Sequence, residues 1–257
     1  MPTKPMIFTA KNLALSCTTG DQEVQAVRSC NVTVPEHAIT VIFGASGSGK
    51  SSLLNVVSGL QKPTSGSLLY RGVDVYEQSL NELAYFRAHE LGIVYQTNYW
   101  VKSLTVLDNV AMPLYFQGQS QAEAHRRAHE ALSAVNMGQF ATKYPALLSG
   151  GEQQRVAVAR AIVADPPVII ADEPTGSLDS TNGDAIIALL QKLRDDHGKT
   201  IVLVTHNMEY LHIANHLLEV QDGTVTQIEE AQIPRTVKKM LGDAQTRITK
   251  LMEEHTT

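Results

Sequence analysis

Nine consecutive residues, Gly44-Ala45-Ser46-Gly47-Ser48-Gly49-Lys50-Ser51-Ser52, have the types and spacing to hold a chain of phosphates. Glycines let a backbone turn tightly and aim successive N–H groups at phosphate oxygens. A helix starting at Lys50 would add the partial positive charge of its N-terminus. Lys50 brings a full charge to the outer phosphates, and the Ser51 hydroxyl can ligate Mg2+; the run fits the G-x-x-x-x-G-K-[ST] spacing of nucleotide phosphate loops. Further along, Asp172 and Glu173 are adjacent carboxylates behind the apolar run Val168–Ala171. Neighbouring strand residues point to opposite sides, which predicts one carboxylate on a metal and the other toward the terminal phosphate. Asp172 is the metal candidate, through water, and Glu173 the group that orients and polarises an attacking water. His206 follows a second apolar run, Ile201–Val204, at hydrogen-bonding reach of a terminal phosphate.

These groups need elements to hold them. Ala38–Phe43 reads as a buried strand that leads into the glycine loop, and Lys50–Ser58 as a helix closed by Gly59. Residues 61–95 carry turn signals between short strands. Ser120 with Glu123 has capping-box spacing ahead of Ala124, Ala128, Ala131, Leu132 and Val135, and residues 97–165 read as mainly helical. Val168–Ala171 and Ile201–Val204 are further buried strands, separated by a helix over 183–196 that stops at Gly198. Alternation of this kind predicts an α/β fold with parallel strands. Three strands that each end in polar residues predict a ligand site along one sheet edge.

Bulk properties narrow the class. The chain has 257 residues, 43% hydrophobic and 18% charged, with a net charge of −5. That is ample apolar side chain for a core, which excludes intrinsic disorder as the overall state. The negative balance predicts no nucleic-acid partner. No apolar run is long enough to span a bilayer, and no secretory leader is expected. Two cysteines, Cys17 and Cys30, suit a reduced cytoplasmic setting better than a disulfide framework. Beyond residue 230, five Lys or Arg against three Asp or Glu give a net of +2. There Val237, Met240, Leu241, Ala244, Ile248 and Leu251 recur at helical spacing, predicting an amphipathic tail helix that docks on something.

A second phosphate-binding device lies at Leu148-Ser149-Gly150-Gly151-Glu152-Gln153, where a hydroxyl and two glycines open a helix. With Gln96 in Val94-Tyr95-Gln96 and the run Ser177-Leu178-Asp179, the motifs fall in an order that resembles the ATP-binding cassette ATPases, the nucleotide-binding subunits of ABC transporters. The resemblance covers residues 6 to about 228. It implies a P-loop NTPase (RecA-like) α/β core, an antiparallel β layer from residues near 5–35 and 65–80, and an inserted α-helical subdomain at about 97–165. Domain limits on this basis are 1–230 for the ATPase and 231–257 for the tail. It implies ATP and Mg2+, with Ser51, Gln96 and Asp172 toward the metal. Glu173, His206 and Lys50 become the catalytic set. Ser149, Gly150, Gly151, Glu152 and Asp179 join the phosphate loop and Gln96 as nucleotide contacts. One chain with two phosphate devices implies a second ATPase subunit, paired head to tail; of three surfaces open to the tail, its own ATPase domain, the partner subunit and, last, the membrane surface, docking on that dimer is the expectation. An integral-membrane permease is the further implied partner, which places the chain peripherally on the cytoplasmic face of the inner membrane.

Ala171-Asp172-Glu173-Pro174-Thr175-Gly176-Ser177-Leu178-Asp179 looks like the wording of the lipoprotein-release, macrolide-export and cell-division branch. Members of that branch transmit motion across the membrane to extract or push cargo. The alternative is a regulatory ATPase acting with a permease-like sensor or a cell-division partner, with little net transport. Two positions depart from the family. Cys17 stands where an aromatic residue usually stacks on adenine. Asn98-Tyr99-Trp100-Val101-Lys102 replaces the usual text after Gln96, in a region that ordinarily faces the permease; Trp100 is either a core residue or an anchor for a permease helix.

Overall fold

A computed structural model describes residues 5–19 and 22–242. Strands β1 (Met6–Thr19) and β2 (Gln22–Pro35) precede β3 (Ile39–Phe43), which feeds helix α1 (Lys50–Val57). Then come β4 (Ser65–Tyr70), β5 (Val73–Asp74), α2 (Leu80–His89) and β6 (Leu91–Val94). Helices α3 (Val106–Phe116), α4 (Gln121–Ala134) and α5 (Gly150–Ile162) follow without a strand between them. The chain returns through β7 (Val168–Asp172), α6 (Ser180–His197), β8 (Thr200–Thr205), β9 (His216–Gln221) and β10 (Thr224–Ile228).

The strands form two sheets. One is antiparallel with order β2-β1-β4-β5; the other has order β10-β9-β3-β8-β7-β6. In the second, β9, β3, β8, β7 and β6 run parallel and β10 turns back against β9. Strand alternation divides the apolar side chains between two cores. Ile169, Ala171, Ile201 and Leu203 face a core shared with α3, α4, α5 and α6. Val168, Ile170, Val202 and Val204 face a core shared with α1 and the antiparallel sheet. Burial on both faces is why these strands read as unbroken apolar runs in the sequence.

The structure departs from the expected pattern in three ways. Residues 61–95 hold a ten-residue helix, α2, as well as short strands. Phe86 alone among its residues is buried, so periodicity barely signals it. Its sequence mark is the capping box in which the Ser79 hydroxyl accepts from Glu82 N and Glu82 Oε2 accepts from Ser79 N at 2.8 Å. Strand β9 extends the parallel set and β10 folds back antiparallel beside it, two strands that the sequence reading does not predict. Finally, residues 233–242 are helical, and Ile233 and Val237 are buried in the same core as the helices, with Met240 packed beside them. The start of the tail thus docks on its own domain, because its apolar stripe joins the core that the helices share with the parallel sheet. Ala244, Arg247, Ile248, Lys250 and Leu251 lie outside the described residues. No helix among the described residues is long and apolar enough to cross a membrane.

Candidate functional site

The glycine loop leaves β3 and enters α1 through Gly49, which has φ 109° and caps the helix with no side-chain hydrogen bond. A Cβ there would lie 2.1 Å from the Ala26 carbonyl oxygen, so only glycine fits. The first-turn amides of α1 remain open for an anion. Lys50 is 6% exposed, and its Nζ donates to the carbonyls of Gly44 at 2.9 Å and Ala45 at 2.8 Å. These bonds aim the ammonium along the loop. Gly223 N donates to the Ser48 carbonyl at 2.8 Å, so the turn between β9 and β10 supports the loop from beneath. A cavity of about 590 Å3 opens over Gly47–Ser52, walled by Gln25, Arg28 and Asp222. Arg28 and the Asp222-Gly223 turn escaped the sequence reading; the Asp-Gly pair, a hairpin-turn signature, was the available signal.

Strand register gathers the other groups at the same edge. Phe43 pairs with Thr205, Asp172 with Val204, and Val94 with Ala171. The glycine loop, His206, the Asp172-Glu173 pair and Gln96 therefore all emerge where parallel strands end. This is the edge on which α/β sheets place ligands.

At that edge the two carboxylates differ. The Oδ1 atom of Asp172 is buried with no hydrogen-bond partner. Burial pushes its carboxyl above the usual range and the Glu173 charge adds to that, while Lys50 opposes it. An orphaned, buried carboxylate oxygen beside a lysine is a fit for a hard cation, and the oxygen donors Ser51, Asp172 and Gln96 suit Mg2+. Glu173 does not continue the strand. Its φ is 47°, its N–H donates to the Val204 carbonyl at 2.9 Å, and its side chain is 10% exposed. The expected separation of the carboxylates by strand alternation is therefore replaced by a left-handed turn at Glu173. The Oε2 atom of Glu173 accepts from the His206 ring Nδ1 at 2.8 Å and from His206 N at 3.3 Å. The imidazole thus carries a carboxylate on one nitrogen and keeps the other for a ligand.

The second glycine device occupies a different neighbourhood. Ser149 caps α5 in a capping box. Its N and Oγ donate to Glu152 Oε2 at 2.8 and 2.9 Å, and its Oγ accepts from Glu152 N at 3.4 Å. The backbone and hydroxyl bonds hold the Glu152 carboxyl below its ordinary value. Glu152 is thus engaged by its own helix end. Asp179 caps α6 and accepts from Asn182 N and Asn182 Nδ2, both at 2.8 Å. Of the expected site residues, Gly47–Ser52 line the cavity over the phosphate loop, whereas Gln96, Asp172, Glu173 and His206 stand outside it at the strand ends, and Ser149, Gly150, Gly151 and Asp179 stand outside it at the starts of α5 and α6.

The two departures resolve differently. Cys17 is half-buried, packs against the core of the antiparallel sheet, accepts from Gln61 Nε2 at 3.6 Å and does not line the cavity. Trp100 is half-buried; its indole N–H donates to Gln153 Oε1 at 2.9 Å. The guanidinium of Arg160 lies 4.5 Å over its ring and also donates to the Asn98 carbonyl at 2.7 Å. Trp100 therefore ties the segment after Gln96 to α5.

Residues 27–176 match the ABC transporter family model. The chain belongs to the ABC transporter family. The cassette is 37% identical over 224 residues to an ABC transporter ATP-binding protein of Methanocaldococcus jannaschii, MJ0796, covering 86% of this chain and 95% of that protein. It is 40% identical over 206 residues to the lipoprotein-releasing system ATP-binding protein LolD of Geobacter metallireducens, covering 80% and 92%. Among solved structures it is similar to the dimeric, post-hydrolysis MJ0796 cassette bound to ADP and Pi, with a TM-score of 0.81 and 36% identity, covering 87% of this chain and 98% of that one. The cassette binds and hydrolyses ATP as the ATP-binding subunit of a transporter.

Proposed function

We propose that this cassette powers a membrane permease of the lipoprotein-release and export type, working as a head-to-tail homodimer at the cytoplasmic face of the inner membrane. The observation that carries the reading is the division of phosphate devices. The chain has one at Gly44–Ser52 and another at Ser149–Gly151, and the helices they open, α1 and α5, pack in the two separate cores on opposite faces of the parallel sheet. Pairing two copies supplies each nucleotide with both. The dimeric MJ0796 cassette and the LolD relatives support this.

In the proposed cycle, the loop amides and Lys50 bind the phosphates. Ser51, Asp172 and Gln96 would hold Mg2+, which would supply counter-charge to the phosphates. Glu173 orients and polarises the attacking water, and His206 steadies the Glu173 carboxylate through Nδ1 while its other nitrogen faces the terminal phosphate. Positioning and charge do most of the work, as phosphoryl transfer requires. A groove of about 800 Å3 between α2, β6, α3 and α5 receives the permease. It exposes Tyr85 and Phe116, carries Arg160, and reaches Tyr95, which precedes Gln96. Continuity with Gln96 lets a seated permease segment sense the nucleotide edge.

Capture of the tagged Glu173→Gln chain with ATP from detergent-solubilised membranes tests the reading. Recovery of a permease with few spans and a large extracytoplasmic domain supports it. Recovery of ribosomes or DNA, with no membrane protein, rejects it.

A further inference from the structure

Asn182, in the first turn of α6, touches two elements at once. On one side it meets the Asp179 turn. Asp179 accepts the Asn182 backbone N–H and the Asn182 Nδ2 amide, each at 2.8 Å. On the other side it meets the signature helix α5. Arg155 Nη1 donates to Asn182 Oδ1 at 3.4 Å. A Cβ on Gly151 would fall 2.5 Å from that same Oδ1 and 2.7 Å from Asn182 Cγ, so the amide lies directly on the glycine. Next to this contact, a Cβ on Gly150 would lie 3.7 Å from Leu178 Cδ2. The Ser149–Gly151 turn and the Ser177–Asp179 turn thus rest against each other, with the Asn182 amide as the polar tie.

We propose that Asn182 is a positioning residue that fixes the spacing between the signature turn and the Asp179 turn, so that both reach the second subunit's nucleotide together. The proposal rests on the head-to-tail pairing proposed above. Its chemistry is specific. The tie needs a donor toward the Asp179 carboxylate and an acceptor toward the Arg155 guanidinium within one short side chain. An amide supplies both. A carboxylate of the same shape cannot donate and sets a like charge against Asp179, and a methyl group supplies neither. The α6 cap itself survives these changes, because the bond from Asn182 N to Asp179 Oδ1 is a backbone bond. Spacing can therefore be loosened without unwinding the helix.

The test uses the full chain carrying Glu173→Gln, with Asn182→Ala and the near-isosteric Asn182→Asp added separately. Binding of a fluorescent ATP analogue to the single chain, ATP-driven dimerisation by analytical sizing, and melting temperature are read for each. On the otherwise unaltered chain, ATPase activity is followed against protein concentration. Both variants are expected to bind nucleotide as the parent does and to melt with it. Both are expected to need about tenfold more protein for half-maximal dimer, the scale of ordering a loosened segment on association. Half-maximal specific activity should shift by the same factor, with turnover recovered at saturating protein. A merely structural residue would lower melting and nucleotide binding together, and that pattern overturns the proposal. Dimerisation equal to the parent in either variant overturns it as well and leaves the pairing intact. A parent that does not dimerise with ATP overturns the pairing itself, and this proposal with it.

Discussion

Replacing Glu173 by Gln keeps the length of the side chain and removes its charge at the nucleotide edge. A positioned base contributes about 10²–10⁴ in rate, or roughly 3–5.5 kcal/mol of barrier at 1.36 kcal/mol per decade. Phosphate release should therefore fall by two to four decades on this range, with ATP binding retained through the loop and Lys50. The geometry also sets a smaller effect for His206→Ala. Glu173 Oε2 takes two donors from His206, the ring at 2.8 Å and the backbone N–H at 3.3 Å, and the substitution removes only the first. A hydrogen bond to a charged acceptor contributes about 1.5–3 kcal/mol, or roughly 10- to 150-fold in rate. The His206 side chain is 61% exposed, so water competes for the carboxylate and the lower end of that range is expected. Phosphate release at saturating ATP, with sizing in parallel, gives both numbers. Turnover of Glu173→Gln within about tenfold of the parent refutes the role of Glu173 as base. A larger loss in His206→Ala than in Glu173→Gln refutes the view that His206 acts through the carboxylate.

Three further outcomes follow from the same coordinates. Cys17 packs against the core of the antiparallel sheet and stands outside the cavity over the phosphate loop, so Cys17→Tyr should leave ATP relative to GTP unchanged in competition titration; a gain of about 1 kcal/mol for ATP, the scale of an aromatic contact, would show that position 17 reaches the base. Val237→Ala removes two buried carbon groups where the start of the tail docks, and should lower stability by about 1.5–2 kcal/mol in urea unfolding; no change would mean that this helix is not part of the core. Asp108 is held below the usual carboxylate range, first by the Thr105 hydroxyl and then by His125. Its ionised form is thus favoured in the fold, so its stabilisation is full above the ordinary carboxylate pKa and is lost as acidification passes through the lowered one. Asp108→Asn should flatten that acid limb of the stability curve, and an unaltered limb would count against the linkage.

Local chemistry was legible in the sequence wherever a function demands residue types at fixed spacing along the chain. The glycine loop needs consecutive backbone amides, so Gly44–Ser51 announced both its conformation and its ligand. Doubly buried strands such as Val168–Asp172 announced themselves as apolar runs ending in polar groups, and parallel pairing then followed from the helices between them. Helix α2 was less visible, because a helix that buries only Phe86 leaves almost no period to read. The shared edge of Gln96, Asp172, Glu173 and His206 required strand register, since Phe43, Val94, Ala171 and Thr205 are far apart in the chain and their strands meet only through hydrogen bonds. The left-handed turn at Glu173 was also beyond reach, because backbone conformation at a strand end is set by what the next strand offers, here the Val204 carbonyl. The same holds for Asn182 against Gly151 and for the start of the tail, which joins the core of the helices. Spacing along a chain reports on neighbours within a turn or a strand, whereas contacts between distant segments depend on how whole elements pack, and that only the tertiary structure decided.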